Sequence, residues 1–168
     1  MDATLYRTVM GRFATGLTVI TFGAGTRPAG MTANAFMSVS LEPPLVVTSI
    51  RRQSRINQCI REGVTFGINI LAEHQLSLCR HFAGKDADGG DVPFVFEQGV
   101  PLIADSLAHL IVRASQVIAA GDHLLYLSEI EYAKLGQQKR PLIFFTGGFR
   151  QLHAHTPVIN WATEAECS

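Results

Sequence analysis

The stretch LAHLIVRASQVIAAGDHLLYLSEIEYA, residues 107–133, holds two long runs rich in Leu, Ile, Val and Tyr around a central Gly-Asp pair. Such runs favour β-strands, and Gly followed by Asp favours the turn that joins them. We therefore predict strands over residues 107–117 and 124–133, and a further strand over residues 142–146. The C-terminal half is thus expected to be a succession of hairpins.

The remaining chain adds more strands than helices. Apolar spacing predicts a helix over residues 4–13, a short helix beginning at Ser54, and a helix over residues 73–82. Strands are predicted over residues 17–22, 45–50 and 64–71. Because strands and helices do not alternate, a βαβ protein is excluded. We predict one domain over residues 1–168, α+β and mainly β: an antiparallel barrel with a few flanking helices.

Composition limits the partners and the compartment. The 168 residues carry 14 basic and 14 acidic side chains, so the chain lacks the positive surface typical of nucleic-acid binding. Charged residues make up only 17%, which suggests that some surface is buried against a second copy. The three cysteines, Cys59, Cys79 and Cys167, form no CxxC pair. With no secretory pattern and no membrane-length apolar run, a cytoplasmic protein without a membrane partner is expected.

Four polar segments are candidates for chemistry. Residues 30–44, GMTANAFMSVSLEPP, combine small side chains with hydroxyls and an amide, which suits a flat ring lying along the main chain. The ordinary alternative is an edge strand with solvated hydroxyls. Residues 49–55, SIRRQSR, place a hydroxyl and arginines at a helix start, which suits a phosphate. The alternative there is a capped helix with surface arginines.

Two further segments are RHFAGK at residues 80–85 and GDH at residues 121–123. The first is either a second phosphate contact or a basic helix end that suits the dipole. In the second, Asp122 can orient the imidazole of His123, although an ordinary turn has the same sequence. No GxSxG, HExxH, GxGxxG or GxxxxGK[ST] pattern occurs, which argues against a hydrolase, a metal site, and a Rossmann or P-loop nucleotide site.

The order of several motifs resembles the flavin reductases of two-component flavin monooxygenases. These motifs are MGRFATGLTVIT (10–21), GMTANAF (30–36), SVSLEPP (38–44), FGINIL (66–71), RHFAG (80–84), GDH (121–123) and PLIFF with GGF (141–149). The resemblance runs from about residue 5 to about residue 150. It implies an FMN-binding split barrel that forms a homodimer, moves a hydride from NADH or NADPH to FMN or FAD, and supplies a separate oxygenase.

The resemblance also implies site residues. His123 is expected where nicotinamide docks. The expected flavin contacts are Thr32, Ala33, Asn34, Ala35, Ser38, Ser49, Ile50, Arg51, Ser54, Arg55, Phe82, Ala83, Gly84 and Phe149. No metal ion is expected. Ala35 stands where the family commonly has Ser, Phe149 where it has Tyr, and the loop over residues 85–93 is short. Two other functions stay open: a flavoprotein that retains its flavin and reduces another bound acceptor, and a non-catalytic flavin-binding module.

Overall fold

The computed structural model describes residues 1–23, 28–85 and 91–152. The helices are α1 (Ala3–Met10) and α2 (Leu76–Phe82), with single 3-10 turns at Arg55–Gln58 and Glu73–Gln75. The strands are β1 (Thr15–Gly16), β2 (Thr18–Phe22), β3 (Ala29–Ala33), β4 (Phe36–Leu41), β5 (Pro44–Arg51), β6 (Thr65–Ile70), β7 (Phe94–Glu97), β8 (Val100–Ile103), β9 (Ala108–Ala120), β10 (His123–Leu135), β11 (Ile143–Phe145) and β12 (Gly148–Arg150). No helix in the described ranges is long and apolar enough to cross a membrane.

The main sheet has seven strands in the order β3-β2-β6-β9-β10-β5-β4, and every neighbouring pair is antiparallel. Its two edge strands, β3 and β4, are consecutive in the chain and are joined only by Asn34 and Ala35. In a flat sheet these edges would lie about 29 Å apart. A connection this short spans at most about 10 Å, so the sheet has to curl until its edges meet. The result is a barrel with one open seam.

The barrel encloses an apolar core. Its fully buried side chains include Ile20, Phe66, Ile68, Val112 and Tyr126. These residues occupy alternating positions on the central strands, which is why each strand presents one face to the interior. A second apolar cluster, around Leu71, Cys79 and Ile103, lies outside the barrel, where α2 and the β7–β8 hairpin cover it.

The structure also corrects the predicted elements. Residues 30–41 form two edge strands, β3 and β4, rather than the single edge strand of the ordinary alternative, because the corner at Asn34 and Ala35 interrupts them. The helix predicted from Ser54 is a single 3-10 turn. The cap predicted for Ser54 is wrong, since its hydroxyl contacts the Met31 Sδ at 3.1 Å and caps no backbone amide. The helix predicted over residues 73–82 is a 3-10 turn followed by α2. The tail after residue 152 lies outside the described residues.

The first helix leaves its apolar side uncovered. Leu5, Tyr6, Val9 and Met10 of α1 are all exposed, and so is Phe13, which follows the helix and is 71% exposed. These positions recur at the spacing of one helix face. Within the described chain, α1 has no buried residue. A face of this kind is typical of a helix that packs against another molecule.

Candidate functional site

The open seam of the barrel holds a cavity of about 280 Å³. Three stretches that are distant in sequence meet there. One wall is the end of β3 with the corner that follows it, and the opposite wall is the end of β5. The cavity is lined by Met31, Thr32, Ala33, Asn34, Ala35, Ser49, Ile50, Arg51, Ser54 and His123. All of these residues except Met31 are among those that the sequence singled out.

The first wall is mainly backbone and small side chains. Asn34 and Ala35 are exposed, whereas Ala33 is buried against the core. The Ala35 carbonyl accepts a hydrogen bond from the Ser49 amide at 2.9 Å, and this bond joins the two walls. The Thr32 hydroxyl donates to the Cys79 carbonyl of α2 at 2.6 Å. Thr32 therefore braces the wall against α2, and its hydroxyl proton is not available to a ligand.

The second wall carries hydroxyls and positive charge. The side chains of Ser49 and Arg51 form no hydrogen bond with any other described residue, so both can serve a ligand. Ser54 also lines the cavity, and its hydroxyl contacts the sulfur of Met31, another lining residue. Because Arg51 is exposed at the rim, its guanidinium suits an anionic group of a ligand whose ring lies deeper. A phosphate bound at this wall would meet Arg51 rather than a helix N-terminus.

The third stretch is the hairpin turn between β9 and β10. Gly121 has a φ of +58°, which places it in the left-handed region that Gly adopts readily. Asp122 follows, and its Oδ1 lies 2.7 Å from the Nδ1 of His123. This hydrogen bond, together with the charge of the ring when protonated, lowers the pKa of the Asp122 carboxyl below its ordinary value. His123 thus has one ring nitrogen fixed by Asp122, which leaves Nε2 as the atom free to meet a ligand.

Six predicted residues lie away from the cavity. Ser38 is exposed on β4, and Arg55 is exposed at the start of the first 3-10 turn. Phe82 packs in the outer apolar cluster, edge-on to Phe94 at 6.3 Å, and Phe149 packs in the same cluster edge-on to Phe144. The other two, Ala83 and Gly84, end α2, where Gly84 has a φ of +69°.

Met31 was not predicted, because a Met in a strand normally indicates core packing. Its position one residue before Thr32 is the only sequence feature that points to it. Elsewhere, a second cavity of about 310 Å³ lies between α1 and the β11–β12 turn, and it is lined by Thr4, Arg7, Thr8, Gly11, Arg12, Thr146 and Gly147. Within the described ranges, no group of three or more His, Cys, Asp or Glu side chains is arranged to hold a metal ion.

A curled antiparallel sheet with a ligand-sized cleft at its open seam defines a split barrel, and known proteins share both features. Residues 10–153 match the model of the flavin reductase like domain. An NADH-dependent flavin reductase of a Rhodococcus species is 42% identical over 149 residues, 87% of this chain and 84% of the relative. The reductase component of a Thermus thermophilus 4-hydroxyphenylacetate 3-monooxygenase is 33% identical over 88% of this chain and 95% of its own.

A solved structure agrees with these sequence matches. The Streptomyces globisporus NADH:FAD oxidoreductase SgcE6, solved in complex with NAD and FAD fragments, superposes with a TM-score of 0.83 at 36% identity, covering 95% of this chain and 96% of that one. This chain belongs to the flavin reductase-like domain family. The family and the mainly β split barrel predicted from the sequence are both confirmed.

Proposed function

We propose that this protein is an NADH-dependent flavin reductase that supplies reduced flavin to a separate monooxygenase component. The observation that carries the proposal is the cavity at the seam, which brings Asn34, Ser49, Arg51 and His123 together from three parts of the chain. Relatives named as NADH-dependent reductases and as monooxygenase reductase components support the donor and the partner.

The residues of the cavity fit a flavin. A flat ring needs a wall without bulky side chains, and Ala33 and Ala35 provide one. Its polar rim needs hydrogen-bonding groups, which Asn34 and Ser49 offer. The cavity of about 280 Å³ is slightly smaller than the roughly 300 Å³ at which typical small-molecule sites begin. It therefore suits the ring system of a flavin, with the rest of the molecule extending outward past Arg51. Bound flavin supplies the chemistry of accepting a hydride from NADH.

The protein has to hold two rings at near-attack separation. In this proposal the first wall supports the flavin, and His123, fixed through its Nδ1 by Asp122, uses Nε2 to orient the nicotinamide amide. Hydride transfer needs no proton acceptor, so His123 is the proposed catalytic residue through its contact with the nicotinamide, and not as a base. The remaining proposed flavin contacts, Ser38, Arg55, Phe82, Ala83, Gly84 and Phe149, would require a ligand that reaches beyond the cavity.

The functional unit in this proposal is a homodimer in the cytoplasm. The exposed apolar side of α1, with Phe13, supports the dimer, as do the exposed Met37, Val39 and Leu41 of edge strand β4. Size-exclusion chromatography with light scattering tests it: wild type should have twice the mass of one chain, and Phe13→Glu should shift it to the mass of one chain. A wild-type mass of one chain would exclude the dimer. The proposed use of NADH supports the cytoplasmic location.

The activity is tested by NADH oxidation at 340 nm, with and without added FMN or FAD. We expect turnover that depends on added flavin. His123→Ala should lower kcat/KM for NADH by about tenfold or more, the effect of one hydrogen bond to a reacting ligand. His74→Ala is the matched control, because His74 is an exposed histidine outside the cavity. Flavin affinity, measured by fluorescence titration, should be nearly unchanged in both variants.

Three outcomes would contradict this assignment. Loss of flavin binding in His123→Ala would move the histidine from the nicotinamide to the flavin. Absence of turnover with either flavin, and with both NADH and NADPH, would leave a protein that binds flavin without this reaction. A flavin that stays with the protein through gel filtration would favour a bound acceptor over a diffusing product.

A further inference from the structure

The turn that carries His123 is tied to the end of β5 by Arg52. Its backbone amide donates to the Asp122 carbonyl at 2.9 Å, and its Nε donates to the Gly121 carbonyl at 2.8 Å. These bonds add to the strand pairing of His123 with Arg51. The end of β5, which carries Arg51, and the turn that carries His123 are therefore held together as one unit.

Asn57 fixes this unit from behind. Its Nδ2 donates to the Arg51 carbonyl at 2.8 Å and to the Arg52 carbonyl at 3.0 Å. Carbonyls only accept hydrogen bonds, so the orientation of the amide is determined, and both of its N–H groups are used. Asn57 itself does not line the cavity. It acts on two successive peptide groups, one of which belongs to the cavity wall.

Tyr126 anchors Asn57 to the barrel core. The tyrosine is 1% exposed, and its hydroxyl donates to the Oδ1 of Asn57 at 3.0 Å, with the Ile60 carbonyl 3.3 Å away. All the hydrogen-bonding groups of the Asn57 amide thus have partners. Tyr126 lies three residues after His123 on β10. The hydrogen bonds therefore run from Tyr126 in the core through Asn57 to Arg52, and from Arg52 back to the turn before His123.

We propose that Asn57, anchored by Tyr126, is a positioning residue that sets the separation between the unit of Arg51 and His123 and the first wall of the cavity, at the end of β3. The inference rests on the proposed function, because that separation matters only if two ligands meet between these walls. In hydride transfer a misplacement of about 1 Å can cost about a hundredfold in rate. A side chain that touches neither ligand then controls their alignment.

The test compares Asn57→Ala and Tyr126→Phe with wild type. Tyr132→Phe is the matched control, since it removes the same hydroxyl from the same strand at a position where it makes no hydrogen bond to a described residue. For each variant, kcat, KM for NADH, the flavin Kd and the melting temperature are measured. The primary isotope effect on kcat is measured with NADH deuterated at C4.

Asn57→Ala should lower kcat/KM for NADH by about tenfold, and Tyr126→Phe by about threefold to fivefold, in line with the bonds that each removes. The isotope effect should rise in both, because a misaligned hydride transfer becomes more rate-limiting. The flavin Kd should change by less than about threefold. Tyr132→Phe should match wild type. A merely structural role would lower the melting temperature and the active fraction while leaving the isotope effect of the remaining enzyme unchanged, and that result would overturn the inference.

Hydrogen exchange separates this inference from the proposed function, because it needs no turnover. In Asn57→Ala, peptides that cover residues 50–54 and 119–124 should exchange about fivefold to tenfold faster than in wild type, while β6 is unchanged. Unchanged exchange in both peptides would overturn the inference even in an active enzyme. A wild-type protein that oxidises no NADH would overturn the proposed function, and the positioning role with it, whatever the exchange shows.

Discussion

Replacing Asn69 by Leu should destabilise the fold strongly. The amide of Asn69 is completely buried in β6, where its Nδ2 donates to the Val19 carbonyl and to the Thr21 hydroxyl, both at 3.0 Å. Its Oδ1 accepts from the Ile103 amide at 2.8 Å. The side chain thus joins β2, β6 and β8, and it holds the β7–β8 hairpin on the barrel.

The cost follows from these three bonds. Each hydrogen bond contributes about 1 kcal/mol net, and a buried partner left unsatisfied costs about 1–3 kcal/mol. Val19 and Ile103 are fully buried, so water cannot replace the lost amide. Because leucine returns some apolar contact, we expect a net loss of about 3–5 kcal/mol. This is a large fraction of the roughly 5–15 kcal/mol that stabilises a domain.

Urea unfolding followed by circular dichroism measures the loss as a midpoint lowered by about 2 M. Thr48→Val is the matched control. Thr48 is 1% exposed, and its hydroxyl has no hydrogen-bond partner among the described residues, so a side chain of the same shape should be neutral or slightly stabilising. A loss below about 1 kcal/mol for Asn69→Leu would refute the hydrogen-bond accounting.

Three other predictions concern the cavity and the packing around the barrel. Arg51→Gln should weaken flavin binding about tenfold or more in a fluorescence titration. Arg55→Gln should change it little, because of these two arginines only Arg51 lines the cavity. Equal effects of the two substitutions would place the phosphate of the flavin elsewhere. Gly136→Ala should sharply reduce the yield of soluble protein, because the added Cβ would clash with the Ser106 carbonyl and approach the Leu107 oxygen to 3.1 Å. The control is Gly16→Ala, whose Cβ would meet nothing within 4 Å, so this variant should fold normally. Burial raises the pKa of the Tyr126 hydroxyl above its ordinary 10.0. The folded state therefore keeps this proton at a pH at which the unfolded chain has lost it, and wild type should lose stability as pH rises above about 10. Tyr126→Phe should lose less over the same range in urea titrations, and parallel curves would contradict this.

The strands and their hairpin order could be predicted from the sequence because they depend on local patterns. The run over residues 107–133 predicts β9, β10 and the turn between them. Both strands end later than predicted, because residues 118–120 of β9 and 134–135 of β10 pair with the opposite strand of the hairpin. The split of residues 30–41 into two strands was not predictable, because the corner exists only where the curled sheet brings its edges together.

The same distinction holds for the site. Local pattern and resemblance identified the segments around Thr32, Ser49 and His123, but not which of their members share one cavity. Tertiary structure decided that Arg51 lines the cavity and that Arg55, four residues later, does not. The connection from Tyr126 through Asn57 to the Arg51 wall has no sequence pattern, because it joins residues 69 positions apart in the chain. The sequence by itself therefore determined the class of fold and the segments that carry the chemistry. Only the closing of the barrel decided which side chains meet, because that depends on contacts between distant strands.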